Sequence, residues 1–288
     1  MLKQSRGVVY MAIGKEFVEE AIFSAKSFRK HMNWPITIFT NLPETAAEGK
    51  IFDEIITIHQ TGRRPHRDKL VSMLQSPYDE TLFLDTDVYI GASLDDCWET
   101  LKYFDMAVSG DRRYKDFIPS GTEVPQSFKE VNLGVVFLKK SEKTIETLKA
   151  TIEVYDELSA KHPNNRIYSC DQPAFKIASF YSGISIAPLA EEDNCRFATY
   201  GKLNGNVRVL HGRFNNKNRT EKNMELLLKK LNHSAAPRTI VAGKMWILLP
   251  TKIPIIQYKA KLKRFNRISV TDVGRAVVYK LIRKFFKF

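Results

Sequence analysis

Apolar and polar positions change period several times along this chain of 288 residues. Residues 7–13 (GVVYMAI) are apolar on both faces, which predicts a buried strand. Phe17, Ala21, Ile22, Ala25 and Phe28 then recur at helical spacing, and Glu19, Glu20, Lys26 and Arg29 fall on the other faces. Strand patterns return at 36–40 and 52–58, a helical one at 69–74, and a fourth strand at 82–84. This alternation implies a mostly parallel sheet with helices on both faces. Residues 105–108 and 135–138 read as further strands, and 141–159 as an amphipathic helix capped by Ser141. Between them, residues 112–128 carry two prolines, a Ser-Gly pair and mixed charge, the composition of a long loop over a site.

Composition changes this picture little. With 43% hydrophobic and 27% charged residues the chain is of the ordinary soluble, globular kind. Cys97, Cys170 and Cys195 are sparse, odd in number and without CxxC spacing, which points to a reducing compartment, buried thiols and no zinc ribbon. The apolar run near the start ends at Lys15-Glu16 without a small-residue cleavage site, so it reads as a strand, not a signal peptide. No run approaches the roughly 18 apolar residues of a membrane span. A cytoplasmic protein is expected.

Charge divides the chain. Of the formal +13, residues 244–288 hold +11, from twelve Lys/Arg against Asp272 alone. The expected organisation is a near-neutral domain over 1–243 and a basic tail over 244–288. Within the tail, Val273, Val277, Leu281, Phe285 and Phe288 share one helical face, with Lys280, Arg283, Lys284 and Lys287 on another. Such a helix suits an anionic membrane surface, placing the protein on the inner face of a membrane, or packs on protein. A nucleic-acid-binding protein would interleave aromatics and cations across a binding face, so the segregated charge argues against that class despite a pI near 9.5.

The candidate chemistry lies in "LFLDTDVYI", residues 82–90. Asp85 and Asp87 are two apart just beyond a buried strand, where open parallel sheets hold ligands. Two hard oxygen donors there suit Mg²⁺ or Mn²⁺. The other reading is a loop whose aspartates cap the next turn. Lys69, at the end of a basic stretch with Arg63, Arg64, His66 and Arg67, could hold phosphate as a point charge if the intervening helix brings it back. Neither GxxxxGK[ST] nor GxGxxG is present, so phosphate would be held through metal and cations.

These pieces, with "VYMAIGKEFVEEAIFSAKSFRKH", "NLGVVFLKK", "CDQPAF" and "VRVLHGR", resemble a GT-A-fold nucleotide-sugar glycosyltransferase over roughly residues 7–215, nearest to the glycogenin and galactosyltransferase-like family 8 group. The resemblance implies a GT-A α/β fold and a metal held by Asp85, Asp87 and His211, the last following a strand at 207–210. It also implies a base and ribose pocket lined by Ala12, Gly14 and Phe17, with Asp85 near the ribose. Gly134, Gly212, Arg213 and Lys69 would contact the donor. Asn132 and the Asp171-Gln172 pair would orient the transferred sugar. The implied reaction is metal-dependent transfer, with retention, from a nucleoside-diphosphate sugar (a UDP-sugar) to a glycan or lipid-linked acceptor. Where the family continues its histidine as Gly-x-x-Lys-Pro-Trp, this chain has "HGRFNNKNRTEKN", leaving Arg213, Lys217 and Arg219 as cations for the diphosphate.

Read without the resemblance, Asn132-x-Gly134 is a turn before a strand, and Asp171-Gln172-Pro173 a helix start with Asp171 as its cap. Asp111 and Glu130 read as surface carboxylates and as further candidates for a general base. The alternative function is another metal-dependent enzyme of sugar nucleotides, such as a sugar nucleotidyltransferase; "AIGKEFVEE" makes a poor version of that class's Gly-rich loop.

Overall fold

A computed structural model describes residues 5–59, 65–111, 122–165, 168, 170–199, 201–213, 220–233, 237–241 and 244–247. The chain divides into two units, Met1–Leu248 and Leu249–Phe288. The second unit lies outside the described residues, and with it the expected tail helix; so do Arg63, Arg64, Lys217, Arg219 and most of the 112–128 loop.

The first half runs β1 (Arg6–Ala12), α1 (Lys15–Arg29), β2 (Ile36–Thr40), α2 (Pro43–Glu48), β3 (Glu54–Thr57), α3 (Pro65–Leu74), β4 (Glu80–Leu84), β5 (Val88–Ile90) and β6 (Met106–Gly110). The second runs β7 (Val131–Lys139), α4 (Glu142–Lys161), α5 (Asp171–Ser182), β8 (Ile186–Pro188), β9 (Cys195–Arg196), β10 (Gly201–Leu203), β11 (Val209–His211), α6 (Glu221–Leu231), β12 (Arg238–Val241) and β13 (Lys244–Ile247). A seven-stranded sheet in the order β3-β2-β1-β4-β7-β6-β8 forms the centre. Its pairings are parallel except those of β7 with β4 and with β6. The class is therefore α/β with a mostly parallel mixed sheet, and β12 and β13 form an antiparallel hairpin.

Strand alternation accounts for the two cores. Val8, Tyr10, Ala12, Leu82 and Leu84 face one side and pack with Val18, Ala21, Ala25 and Phe28 of α1. Val9, Phe83, Val136 and Leu138 face the other and pack with Leu70 and Met73 of α3, Leu148 of α4 and Phe175 of α5. Each of the larger apolar side chains so buried contributes about 1.5–3 kcal/mol, enough to fix strand register and hence which atoms reach the sheet's carboxyl edge. Ser141 caps α4 as expected, accepting from the Thr144 N–H.

Local expectations fail at instructive places. Phe17 belongs to the helical stripe by spacing but is 40% exposed, whereas Glu20, expected on an outer face, is 6% exposed. Asp171 does not cap α5. Cys170 occupies the cap position without a side-chain bond, and Asp171 is the first helical residue, turned to cationic partners. The strand expected at 207–210 lies at Val209–His211, so the histidine is inside it. Asp111 and Glu130 are not surface carboxylates: the Asp111 side chain is 1% exposed and Glu130 is 3% exposed. Cys97 and Cys195 are buried and Cys170 partly so, all three as free thiols. Burial, helped by the nearby Asp193 carboxylate, pushes the Cys97 thiol up to about 12, an inert state.

Candidate active site

The central sheet delivers Asp85 to its carboxyl edge. β4 pairs with β7, and one step beyond the ladder the Asp85 N–H donates to the Gly134 carbonyl at 2.8 Å. Asp85-Thr86-Asp87 then turns the chain into β5. Thr86 donates to Glu20 Oε2 at 2.8 Å. That bond ties the turn to α1.

A second, three-stranded sheet supplies the histidine. β11 pairs antiparallel with β5, setting His211 opposite Val88, and parallel with β9, setting it beside Arg196. The Gly212 N–H closes this corner on the Asp87 carbonyl at 3.0 Å, with Gly212 at φ +136°, where a side chain is strained. Ligand atoms of Asp85, Asp87 and His211 all lie within 4.8 Å of one another. His211 Nε2 is 3.4 Å from Asp87 Oδ1 and 3.7 Å from Asp85 Oδ2.

The donor set fits a hard divalent cation: two carboxylates and one imidazole nitrogen converge on one point. Gly134 supports that fit independently. A methyl group there would stand 2.2 Å from His211 Cε1 and 2.8 Å from Asp85 Oδ2, so only glycine lets strand β7 back the cluster this closely.

Next to it lies a buried charge network. Lys69, on the inner face of α3, places Nζ 2.8 Å from Asp85 Oδ1 and 3.1 Å from Asp171 Oδ2. His66 Nδ1 is 3.4 Å from Asp171 Oδ1. Burial by itself would raise the Asp171 carboxyl, but Lys69 and His66 outweigh it and hold the group well below the usual carboxylate range. Lys69 mirrors this: burial disfavours its charge, yet Asp171 and Asp85 hold it above the ordinary lysine value. Helical return of Lys69 to the aspartates was legible in the sequence; its grip on Asp171 was not.

The other predicted residues fall around this centre. Gln172 spends its amide hydrogens on the Val131 carbonyl, at 2.9 Å, and on Asp111, which also accepts from Arg196 at 3.0 Å. Asn132 is buried, and its Oδ1 accepts from the Gly134 N–H at 3.1 Å and from Asn194 Nδ2 at 2.9 Å. Its oxygen is committed within the protein. Ala12 ends β1 inside the core. Gly14 precedes α1 at φ +91° and donates its N–H to Asn41 Oδ1 at 2.9 Å. Arg213 pairs with Glu20, Nε to Oε1 at 3.2 Å, and lies over the Phe17 ring at 5.2 Å. Burial opposes its charge, but Glu20 and the field of Asp87 and Asp85 keep it above the ordinary arginine value.

Glu20, Asn194 and Arg196 thus join the site without having been picked out for it, and Asp111, a candidate general base by sequence, is held there by Gln172 and Arg196. Asn194 sits in the polar run "EEDN", which carries no period that would mark it as buried.

No protein-family model matches the sequence, and no curated protein matches it. Solved structures do match. The galactosyltransferase LgtC, in complex with donor and acceptor sugar analogues, aligns at a TM-score of 0.52 and 14% identity, over 78% of this chain and 93% of that one. An active-site mutant of LgtC gives the same TM-score and identity over 94% of its length. The bifunctional glycosyltransferase WbbM aligns at 0.51 and 14% identity, over 81% of this chain and 53% of that chain. The fold is that of the GT-A glycosyltransferases. In this GT-A chain the Asp-Thr-Asp turn and His211 meet at the carboxyl edge of the sheet, where α/β folds of this kind hold ligands. Among the described residues no helix is long and apolar enough to cross a membrane.

Proposed function

We propose that the protein is a divalent-metal-dependent glycosyltransferase that moves a sugar from a nucleoside-diphosphate donor, a UDP-sugar, to a glycan or lipid-linked acceptor with retention. The observation that carries this reading is the convergence of Asp85, Asp87 and His211 on one point of a GT-A sheet, with Gly134 behind them. Support for a donor sugar and an acceptor sugar comes from LgtC, whose structure holds analogues of both.

Glycosyl transfer builds negative charge on the departing diphosphate and positive charge on the sugar ring. Asp85, Asp87 and His211 would hold Mn²⁺ or Mg²⁺, which when bound supplies a Lewis acid to the diphosphate oxygens. Lys69, fixed between Asp85 and Asp171, would hold its positive charge beside the metal ligands, and Arg213, over Phe17, would add a second cation for the diphosphate. Phe17, half exposed and flanked by Gly14, offers a ring for the base to stack on. Asp171 keeps its own charge through Lys69, and Gln172 is clamped by Asp111 and the Val131 carbonyl. Both would face the sugar as rigid groups. Asn132, with its oxygen already used, would act on the sugar chiefly by shaping the wall that Gly134 forms.

A screen of nucleoside-diphosphate sugars, with and without Mn²⁺, tests this proposal. Release of UDP from one UDP-sugar by the wild type, abolished by chelator and by Asp87→Ala, is expected. Turnover that survives both would overturn it, and NMR of the product's anomeric configuration decides retention.

The proposal extends to a basic anchor for an anionic membrane surface after the catalytic domain, supported by the +11 charge of residues 244–288. Because β13 pairs with β12, the truncation that tests it should begin at Leu249. Unchanged binding to anionic vesicles after that truncation would remove the anchor.

A further inference from the structure

We infer that Asn194 is a positioning residue that locks the His211 ring in its Nδ1–H form, so that the Nε2 lone pair faces Asp85 and Asp87; this rests on reading that cluster as a metal site. The argument starts from a donor that cannot be reversed. The Gly134 backbone N–H can only donate, and it meets the Asn132 side chain at 3.1 Å. The atom of Asn132 at that contact is therefore the carbonyl oxygen. The same oxygen faces Asn194 at 2.9 Å, which requires the NH₂ end of Asn194 there. The opposite end of Asn194, its Oδ1, then faces His211 Nδ1 at 2.7 Å and can only accept. His211 Nδ1 must carry a hydrogen. Each step follows from the one before, and no amide orientation is left to choose.

Burial makes the relay binding. Asn132, Asn194 and His211 are 6%, 2% and 7% exposed. Reversing any one amide would set donor against donor or oxygen against oxygen in a place with little water, at about 1–3 kcal/mol per group left unsatisfied. A neutral imidazole with its hydrogen on Nδ1 has its remaining lone pair on Nε2, the atom 3.4 Å from Asp87 and 3.7 Å from Asp85. Bonds of this kind to a ligand's far nitrogen fix its rotation and its basicity. Glycine at 134 serves both ends, its N–H anchoring the relay and its missing side chain leaving room for the ring it orients.

Two measurements test the inference separately from turnover. In metal-free protein labelled with ¹⁵N-histidine, the His211 signals, identified among six histidines by their loss in His211→Gln, are followed until the ring is neutral. The wild type is expected to show the Nδ1–H form, and a wild-type ring carrying its hydrogen on Nε2 overturns the inference. Mn²⁺ binding is then read from the EPR signal of the free ion. Asn194→Leu should weaken it by about 10–100-fold, while Asn194→Asp, which still accepts from Nδ1–H but sets an oxygen against Asn132 Oδ1, should weaken it less than Asn194→Leu. If Asn194→Leu keeps both the Nδ1–H form and wild-type Mn²⁺ affinity, Asn194 does not position the ring. Should the wild type take up no more Mn²⁺ than Asp87→Ala, the metal reading itself fails, and the NMR measurement still decides the role of Asn194.

Discussion

Asp85 and Asp171 are the same residue type, joined by one lysine, and the fold treats them in opposite ways. The Asp171 side chain is 5% exposed and holds Lys69 and His66 against its two oxygens, so its charge is matched within the protein. Asp85 is 29% exposed and shares its corner with a second carboxylate, Asp87. Lys69 takes Oδ1 of Asp85, while Oδ2 turns toward His211 and the Gly134 wall. A carboxylate neutralised on every side holds structure in place. A pair of carboxylates turned toward one another, with an imidazole completing the ring, gains most from a cation brought from outside.

Removing Lys69 breaks the matched side and should have the largest effect. Lys69→Met keeps a stem of similar length but loses the ammonium that lies 5.5 Å over the Phe83 ring and strands Asp171, at an expected cost of about 3–5 kcal/mol by chemical denaturation. Adding Asp171→Leu removes the stranded charge and should recover most of that loss. A single variant that loses less than about 1 kcal/mol would show the pair to be poorly coupled. The pH dependence follows from the direction of each shift. Asp171 is depressed, so its contribution is present above its ordinary 3.8 and lost as pH falls through its lower folded value. Lys69 is raised, so its contribution is present below its ordinary 10.5 and lost as pH climbs through its higher folded value. The part of the stability gap between wild type and the double variant that comes from the Lys69–Asp171 pair should be flat between those limits and change only outside them.

The open side should behave in reverse. Asp87→Asn removes repulsion beside Asp85, so the metal-free variant should be no less stable than wild type. With Mn²⁺ at a hundred times its dissociation constant, wild type should gain about 2.7 kcal/mol in thermal unfolding and Asp87→Asn essentially none. An equal gain in both would put the ion elsewhere. Gly134→Ala comes next: its methyl group meets the His211 ring and Asp85, which should cost about 1–3 kcal/mol and also blunt the Mn²⁺ response.

The two sides also differ in how far the sequence discloses them. Asp85 and Asp87 stand out because a buried strand runs directly into them, a pattern contained in a few residues. Lys69 is recoverable from helical spacing. His211 emerges only from family resemblance, because its partners, β5 and β9, are short strands and β5 is far away in the chain. Glu20 shows the limit of periodicity. Spacing tells which positions of α1 are apolar, but not that Thr86 and Arg213 arrive to satisfy a carboxylate packed among them. Asp171 was legible as a helix start but not in its role, since capping is a local rule and Lys69 and His66, which claim it, come from another helix. Asn194 was silent altogether.

The smallest effect on stability concerns Arg213, and it sharpens the contrast most finely. Its guanidinium is half exposed, forks onto Glu20 and lies over Phe17, while the field of Asp85 and Asp87 also acts on it. Arg213→Lys keeps the charge that Glu20 requires and gives up the fork and the stacking. For an ion pair this exposed the stability change should stay below about 1 kcal/mol. If Arg213 leaves Glu20 to meet the diphosphate, the same substitution should weaken UDP binding in the presence of Mn²⁺ by up to about tenfold, the equivalent of 1.4 kcal/mol, as read by calorimetry. A variant that loses stability but binds UDP like wild type would leave Arg213 a role in holding Glu20 and none at the diphosphate.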